Sequence, residues 1–408
     1  MPPHSKTYIH PSSGATLVPH LRQFLPHSLP LYRRLNHSFK TEDALILSTF
    51  PPPDPNAASH ATPAELPRPH LLPQCFAAAF VDRSHRPATE MWLFLSGEVD
   101  GRCACARELG VRPTGDIVSE GQEDAQLGHT HVSDLDRAAL ESREPLLTPC
   151  ASALLSLMKF VGTNVEWRPH TAERLEDVER AARLVDAMKK AADEQHPEAM
   201  KSHYPEHAFF LRDVHNPGVM KLGAVAALPS TILHLYGLLV MPPIRDLAHH
   251  MYVFRVPDGL PHGRELGRGL RWGKVREQDL DLVRIRSPIP KTHRTLKIWN
   301  SMSVYSTTDG TKESGQEHSS EAVAWAFLGY DGSLSSMHVE PEYRGKGIAK
   351  TLAAKLFREY PEEDGWALAY VGVGNRESEA VCEGIGGVSK AWVWWLRVNM
   401  DTVKTIDT

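Results

Sequence analysis

One short stretch near the C-terminal end combines residue types that suit binding of an oxyanion. HVEPEYRGKGIAKTL, from His338 to Leu352, runs from a strand-like segment through Glu-Pro and a glycine-broken turn into a helical pattern. Backbone N–H groups at a helix start point outwards, and the helix dipole adds about half a positive charge there. Gly345 and Gly347 let an anion approach these amides closely, while Arg344, Lys346 and Lys350 add positive charge. The combination is typical of a pyrophosphate site.

The spacing of this turn separates it from two common phosphate motifs. It lacks the Gly-Lys-Ser/Thr of a Walker A loop and the GxGxxG of a Rossmann fingerprint. Arg344 to Ala349 (RGKGIA) instead fits the R-x-x-G-x-A signature of the GNAT superfamily of N-acyltransferases. Asn375 to Gly387 (NRESEAVCEGIGG) resembles a later motif of that superfamily. Within it, AVAWAFLGYDGSLSSMHVEPEYRGKG looks most like the glycine N-acyltransferase-like branch.

The order of predicted elements agrees with this resemblance. Hydrophobic periodicity from residue 270 onwards predicts the order β-α-α-β-β-β-α-β-α-β. The resemblance implies a mixed α/β (α+β) class, with the GNAT acyl-CoA N-acyltransferase fold in residues 270–408. It also implies that residues 1–255 form an N-terminal α/β domain that is a degenerate copy of the same fold. We expect a Pro- and Gly-rich linker at 256–269 and an exposed Pro-rich loop at 51–73.

The resemblance further implies an enzyme, an acyl-CoA-dependent N-acyltransferase, with acetyl-CoA as the expected co-substrate. The expected acceptor is a small amine or amino acid that attacks the thioester directly. Two alternatives stay open, a CoA-binding sensor or scaffold without catalytic activity and a protein N-acetyltransferase. The sequence carries no indication of an oligomeric state.

Binding roles follow residue by residue from the same resemblance. The backbone of Met337, His338 and Val339 would pair with the pantetheine arm, and one of their N–H groups would polarise the thioester carbonyl. Asn375 would hold the pantetheine or the adenine-side arm, and Arg376 would meet a CoA phosphate. The amides around the pyrophosphate would come from Arg344, Gly345, Lys346, Gly347, Ile348 and Ala349.

The catalytic residues depart from the family pattern. Where Cys382 stands here, many members carry a tyrosine that protonates the leaving CoA thiolate. A thiol is a poorer hydrogen-bond donor than a phenol, although its ordinary pKa of ~8.5 is near that of the leaving thiol. The glutamate base of glycine N-acyltransferases would align with Ser333, which cannot take a proton. His338 and Glu340 are therefore the candidate bases, both on one face of a strand. His338 serves as base if that face lines the amine pocket, and is a packed core histidine if it meets the following helix.

Composition excludes several other classes. A formal charge of -5 and a pI near 6.5 argue against a nucleic-acid partner. No apolar run approaches the ~20 residues of a membrane-spanning helix, and Leu222 to Pro243 reads as a buried hairpin or helix pair. Five scattered cysteines favour a reducing compartment, so we expect a cytoplasmic location. A mitochondrial location is a weaker alternative. It is suggested by the stretch before Glu42, which has no acidic residue, as in a transit peptide.

Metal binding has weak support in the sequence. Cys103-Ala-Cys105 is half of a metal site, but a second pair at zinc-finger spacing is missing. His129-Thr-His131 and His249-His250 also lack partners at a recognisable spacing. The sequence therefore predicts no metal.

Overall fold

A computed structural model describes most of the chain, namely residues 6–53, 72–86, 88–111, 146–169, 175–180, 183, 216–243, 247–261, 265–287, 289, 291–307 and 320–406. The strands, in chain order, are β1 (Tyr8–His10), β2 (Leu45–Ser48), β3 (Ala77–Val81), β4 (Met91–Leu95), β5 (Val219–Ala226), β6 (His249–Arg255), β7 (Leu270–Gly273), β8 (Asn300–Ser306), β9 (Ala322–Leu328), β10 (Ser333–Val339), β11 (Trp366–Gly372) and β12 (Val388–Asn399). Most of the predicted loop 51–73 lies outside the described residues.

The helices pack on both faces of the sheet. They are α1 (Val18–Arg22), α2 (Leu29–Asn36), α3 (Cys105–Glu108), α4 (Pro149–Asn164), α5 (Ala227–Leu235), α6 (Val256–Gly259), α7 (Leu280–Arg286), α8 (His293–Ile298), α9 (Ile348–Glu359), α10 (Arg376–Glu383) and α11 (Met400–Lys404). Short 3-10 turns occur at Ser96–Glu98, Glu277–Asp279 and Pro341–Tyr343. Across the described part of the chain, no helix combines the length and the apolar character that crossing a bilayer requires.

The sheet has two halves with the same topology. Its strand order is β1-β2-β3-β4-β5-β12-β6-β11-β10-β9-β8-β7. Five consecutive strands of the N-terminal half lie on one side, and five of the C-terminal half lie on the other. In each half the fourth and fifth strands pair in parallel (β4 with β5, β10 with β11), whereas the other neighbours pair antiparallel. The N-terminal half is thus a second GNAT-like unit.

The two halves exchange their sixth strands at the centre of the sheet. β6 leaves the N-terminal half and pairs with β11 over seven residues, from Trp366↔Arg255 to Gly372↔His249. β12, the last strand of the chain, pairs with β5 on one side and β6 on the other. Each half therefore receives the strand beside its fifth strand from the other half.

Most predicted elements after residue 270 are confirmed. The order β-α-α-β-β-β-α-β-α-β appears as β7, α7, α8, β8, β9, β10, α9, β11, α10 and β12. The prediction of a hairpin or helix pair at Leu222 to Pro243 is wrong, since β5 runs into α5. β5 is buried on both faces, so its apolar run lacks the alternation that marks a strand. Pro229 falls in the first turn of α5, where the backbone N–H has no helical partner.

A buried ion pair fastens helix α2 of the N-terminal half to the C-terminal half. Arg33 is 4% exposed and lies 2.7 Å from Asp364 and 3.1 Å from Glu362, immediately before β11. Its guanidinium also donates to the carbonyl of Trp366. Removing one partner of a buried pair typically costs ~3–5 kcal/mol, because the other charge is left unpaired. The contact therefore fixes α2 against the end of the sheet where β10 and β11 begin.

The domain boundaries at 255 and 270 remain a prediction, and the strand exchange suggests how to test them. We expect the fragments 1–269 and 270–408 to fold together when co-expressed and to copurify. Each should be unfolded or aggregated alone, because fragment 270–408 would leave β11 without β6. Thermal unfolding followed by circular dichroism, with each fragment alone as control, measures this. A monomeric fragment 270–408 with a cooperative transition would contradict it.

Candidate functional site

The parallel strands β10 and β11 diverge shortly after they begin. They pair only at Ser333↔Leu368 and Leu334↔Ala369, whereas β11 continues alongside β6 to Gly372. The edge of β10 that faces β11 is therefore open from Ser335 onwards. An open strand edge offers backbone N–H and C=O groups to an extended ligand.

A bulge marks the point where the strands diverge. The pairing of β10 with β9 shifts register between Ser335 and His338, and Ser336 has a left-handed φ of 49°. A serine held in this region stores strain of order 1–3 kcal/mol, which is often found at functional sites. Among the described residues the buried Ser336 hydroxyl has no hydrogen-bond partner. The bulge therefore presents an unsatisfied hydroxyl next to an open strand edge.

A groove of about 800 Å³ runs from this edge to the start of α9. Gly345 (φ 73°) and Gly347 (φ 79°) turn the backbone through the left-handed region, and Gly347 is the N-cap residue immediately before α9. Space around the Cβ position of Gly345 is open. The groove is lined by Pro261, Met337, His338, Val339, Tyr343, Arg344, Gly345, Gly347, Ile348, Ala349, Lys350, Thr351, Asn375, Glu377, Ser378, Val381 and Gly384.

Most of the predicted binding residues thus meet in one groove, with two exceptions. Lys346 turns back, so that its Nζ donates to the Glu342 carbonyl at 3.0 Å. Arg376 pairs with Glu379 at 3.3 Å. The Asn375 side chain accepts from the Ser378 N–H at 3.1 Å and so caps α10. Lys350, a predicted cation of this turn, lines the groove, whereas sequence reasoning missed Tyr343.

The two candidate bases lie beside the groove. The His338 ring stacks on Trp325, with ring centres 4.9 Å apart, and its Nε2 is 3.6 Å from a Glu340 carboxylate oxygen. The other Glu340 oxygen accepts from Arg286 at 2.9 Å. Burial lowers the pKa of His338 below 6.5, and Glu340 opposes this shift. Met337 and Val339 pack around α9, so His338 does not face the following helix.

Cys382 belongs to α10, and its side chain lies in the core. It is 1% exposed and belongs to the apolar cluster around α9. Burial raises the pKa of its thiol to about 12. Its neighbours Val381 and Gly384 reach the groove, whereas Cys382 is not among the residues that line it. This position favours a packing role over proton donation.

A second, smaller cavity of about 210 Å³ lies on the other side of the bulge. Ser336 lines this cavity and the next residue, Met337, lines the groove, so the two linings adjoin at the bulge. Both halves of the chain contribute to the cavity, and no sequence pattern signals this. Its lining includes Ala88, Thr89, Trp92, Lys221 and His249 from the N-terminal half and Ile289, Lys291, Thr292, Thr295, Trp299, Gly329, Tyr330, Asp331, Ser333, Leu334, Ser335, Ser336, Tyr370 and Trp395 from the C-terminal half.

Asp331 is the carboxylate in this cavity. It is 5% exposed and accepts hydrogen bonds from the Ser333 hydroxyl (2.6 Å), the Ser333 N–H (3.2 Å) and the Tyr370 hydroxyl (3.0 Å). Burial and the neighbouring Asp331 raise the pKa of Tyr370 well above its usual value, so Tyr370 remains a donor. In the sequence, Asp331-Gly332 is typical of a tight hairpin turn, so the local pattern does not mark Asp331 as a residue for chemistry.

Comparison with known families shows the superfamily to which the chain belongs. A family model described as "Acyl-CoA N-acyltransferase verG N-terminal domain" matches residues 4–253, which is more than half of the 408 residues. The chain belongs to this family. A second model, described as FR47-like protein, matches residues 314–396. The GNAT fold and the N-acyltransferase superfamily are therefore confirmed, and members of this superfamily use acyl-CoA as co-substrate. No curated protein matches the chain.

Several solved structures resemble parts of the chain. A protein from Drosophila is 15% identical, with a TM-score of 0.36, and the match covers 62% of this chain and 97% of that one. A tandem GNAT protein from the clavulanic acid biosynthesis pathway is 9% identical, with a TM-score of 0.31 and coverage of 47% and 67%. A GCN5-related N-acetyltransferase from Kribbella flavida is 12% identical, with a TM-score of 0.29 and coverage of 44% and 66%.

The glycine turn leads to a test of the groove. We expect Gly345→Ala to weaken CoA binding about tenfold or more, because the added Cβ would occupy the open space through which an anion approaches the backbone amides. Gly237→Ala is a matched control, since Gly237 also has a left-handed φ (65°) and open space around it but lies outside the groove. Both variants should lose a similar ~1–2 kcal/mol of unfolding free energy. Equal CoA affinity of the two variants by calorimetry would place the pyrophosphate elsewhere.

Proposed function

We propose that the protein transfers an acetyl group from acetyl-CoA to the amino group of a small amine or amino acid. The observation that carries this proposal is that two spaces lie next to one strained bulge. A groove that begins at a cationic glycine turn extends to Met337, and a small cavity with a carboxylate is lined by Ser336, the residue before it. A thioester at the bulge would be within reach of an amine in the cavity.

The groove residues would hold acetyl-CoA by its backbone-like and anionic parts. The amides from Arg344 to Ala349 and the start of α9 would surround the pyrophosphate. The open edge from Met337 to Val339 would pair with the pantetheine amides, and one N–H would polarise the thioester carbonyl. The proposed assignment keeps Asn375 beside the arm but leaves Arg376 in its ion pair with Glu379.

The reaction itself is an aminolysis of a thioester. The amine nitrogen attacks the carbonyl carbon, a C–N bond forms, the C–S bond breaks, and one amine proton goes to a base while CoA leaves as thiolate. The Ser336 hydroxyl, buried and unpartnered among the described residues, is our candidate hydrogen-bond donor to the leaving thiolate, which takes its proton from solvent after it departs. Cys382 is not our candidate proton donor, because it lies in the core.

We propose Asp331 as the group that receives the amine proton. The resemblance aligned the base of glycine N-acyltransferases with Ser333, and here the Ser333 hydroxyl is 2.6 Å from the Asp331 carboxylate. Asp331 therefore supplies a carboxylate close to the expected place from two residues earlier in the chain. His338 and Glu340 are weaker candidates, because neither lines the small cavity. Ser333 and Tyr370 hold the Asp331 carboxylate by hydrogen bonds.

The small cavity favours one kind of acceptor. Its volume of about 210 Å³ suits a small amine better than a protein segment. Lys221 and Lys291 lie in its wall and would attract a carboxylate, which supports an amino acid and hence the glycine N-acyltransferase-like branch. The presence of Asp331 also weakens the alternative of an inactive CoA sensor, which the serine at position 333 suggested. We retain the cytoplasm as the proposed compartment, since all five cysteines are free thiols.

The acceptor proposal is tested with paired substrates. We expect acetyl-CoA thiol release, followed with a thiol reagent, to be faster with an amino acid than with the amine that lacks its carboxylate. A charge-assisted hydrogen bond of ~1.5–3 kcal/mol predicts at least a tenfold difference in kcat/KM. Peptides with free N-termini serve as the control and should be poor substrates. Acetyl-CoA binding without thiol release from any amine would instead support the sensor, and a preference for peptides would support a protein acetyltransferase.

The proposed base is tested by comparing two variants. Asp331→Asn should lower kcat by about 100-fold or more, with little change in acetyl-CoA affinity, because the amine proton loses its acceptor. His338→Gln should stay near the wild-type rate. If His338 were the base, the wild-type rate would fall as the pH drops through a pKa below 6.5, and only His338→Gln would remove that dependence. Loss of that pH dependence in His338→Gln would reassign the base.

A further inference from the structure

Four of the five cysteines meet at one place in the N-terminal half. Cys75 precedes β3, Cys103 and Cys105 lie at the start of α3, and Cys150 lies in the first turn of α4. Their four sulfur atoms all lie within 4.8 Å of one another, and the structure describes them as free thiols. The missing second pair of the sequence analysis is therefore present, since the fold brings together cysteines 28 and 45 residues away from the Cys103-Ala-Cys105 pair.

The separations suit tetrahedral coordination. Cys75 and Cys105 have sulfurs 3.7 Å apart, and Cys103 and Cys150 have sulfurs 3.6 Å apart. A zinc–sulfur bond of ~2.3 Å gives sulfur–sulfur edges of ~3.8 Å in a regular tetrahedron. Disulfide sulfurs would be separated by ~2.05 Å, well below these distances. The four sulfurs therefore already surround a space of the size that one zinc ion occupies.

The surroundings keep this space clear. A Cβ added to Gly97 would lie 2.6 Å from the Cys150 sulfur and 3.1 Å from the Cys103 sulfur, so position 97 leaves room only for glycine. The Arg102 guanidinium holds the segment before Cys75, donating to the carbonyls of Pro73 and Gln74 at 2.9 and 3.1 Å. Cys105 and Cys150 are buried, while Cys75 and Cys103 are half-buried and leave a path for an ion.

The position of the cluster within the fold has a counterpart in the other half. In the C-terminal half a 3-10 turn follows β10, and the glycine turn then opens α9. In the N-terminal half a 3-10 turn (Ser96–Glu98) follows β4, and α4 packs on β3 as α9 packs on β9. The cysteine cluster therefore occupies the place that corresponds to the pyrophosphate loop. The positive end of the 16-residue helix α4 would stabilise the thiolate of Cys150.

We propose that Cys75, Cys103, Cys105 and Cys150 bind one structural zinc ion. Four thiols lose their protons to form four Zn–S bonds, and no oxidation or reduction takes place. An all-thiolate set is typical of zinc, and four protein ligands leave no open position for a substrate. The ion joins three separate segments (before β3, around α3 and at the start of α4) into one unit. This proposal does not depend on the transferase activity.

The test uses the full chain expressed with zinc in the medium. We expect one zinc per chain by elemental analysis of the purified protein. Exchange for Co²⁺ should give the intense visible absorption of tetrahedral cobalt thiolate. Cys75→Ala should lose the bound metal, whereas the matched control Cys382→Ala, which removes a thiol outside the cluster, should retain it.

The wild-type protein alone can overturn the proposal, so a variant that fails to fold does not obscure the result. A folded wild-type chain with far less than one metal ion, and with no cobalt spectrum, would contradict it. A mass lowered by the hydrogens of one or two disulfides would show that the thiols pair with each other. Iron with inorganic sulfide in place of zinc would also contradict the proposal, because the cluster would then hold a different group.

Discussion

The exchange of two strands at the centre of the sheet is the constraint on which the rest of the structure depends. β12 pairs with β6 through its first residues and with β5 through its last, so one continuous strand belongs to both halves. Neither half can complete its own hydrogen-bond ladder. The exchange also builds the walls of the small cavity, because β6 brings His249, β12 brings Trp395 and β4 brings Trp92 to one place. A cavity assembled in this way cannot form in either half alone.

The N-terminal half also places two arginines beside the turns that precede β10 and β11. Helix α2 places Arg33 at the turn before β11 and Arg34 near the turn before β10. Burial lowers the pKa of Arg34 to about 10, with Asp82, Tyr330 and Asp331 opposing the shift, so Arg34 stays charged at neutral pH. Its guanidinium lies 3.9 Å from the centre of the Phe80 ring. The N-terminal half therefore supports the strands that carry the groove and the small cavity.

Sequence reasoning succeeded where chemistry and order are local. The glycine turn, the helix after it and the strand order from residue 270 depend on spacing within a few residues, and the structure contains all of them. It failed where distance in sequence hides proximity in space. Asp331 looked like a turn residue, because its hydrogen bond with Tyr370 joins positions 39 residues apart and no local pattern reveals that contact. Cys382 fitted a family position but faces the core, because the side of α10 that it occupies packs against α9.

The pairing of the two halves explains why one equivalent place would have two uses. Where the fourth strand meets the following helix, an enzyme needs an open turn whose amides face an incoming anion, and glycine leaves that turn without side-chain contacts. If the proposed CoA site lies only in the C-terminal half, the N-terminal half lacks that ligand as a source of order at the same turn. Thiols that converge on one ion would replace the ligand with permanent cross-links, since a bound zinc ion contributes directly to folding. The same topological corner would then be open at the proposed CoA site and closed in the half that supports it.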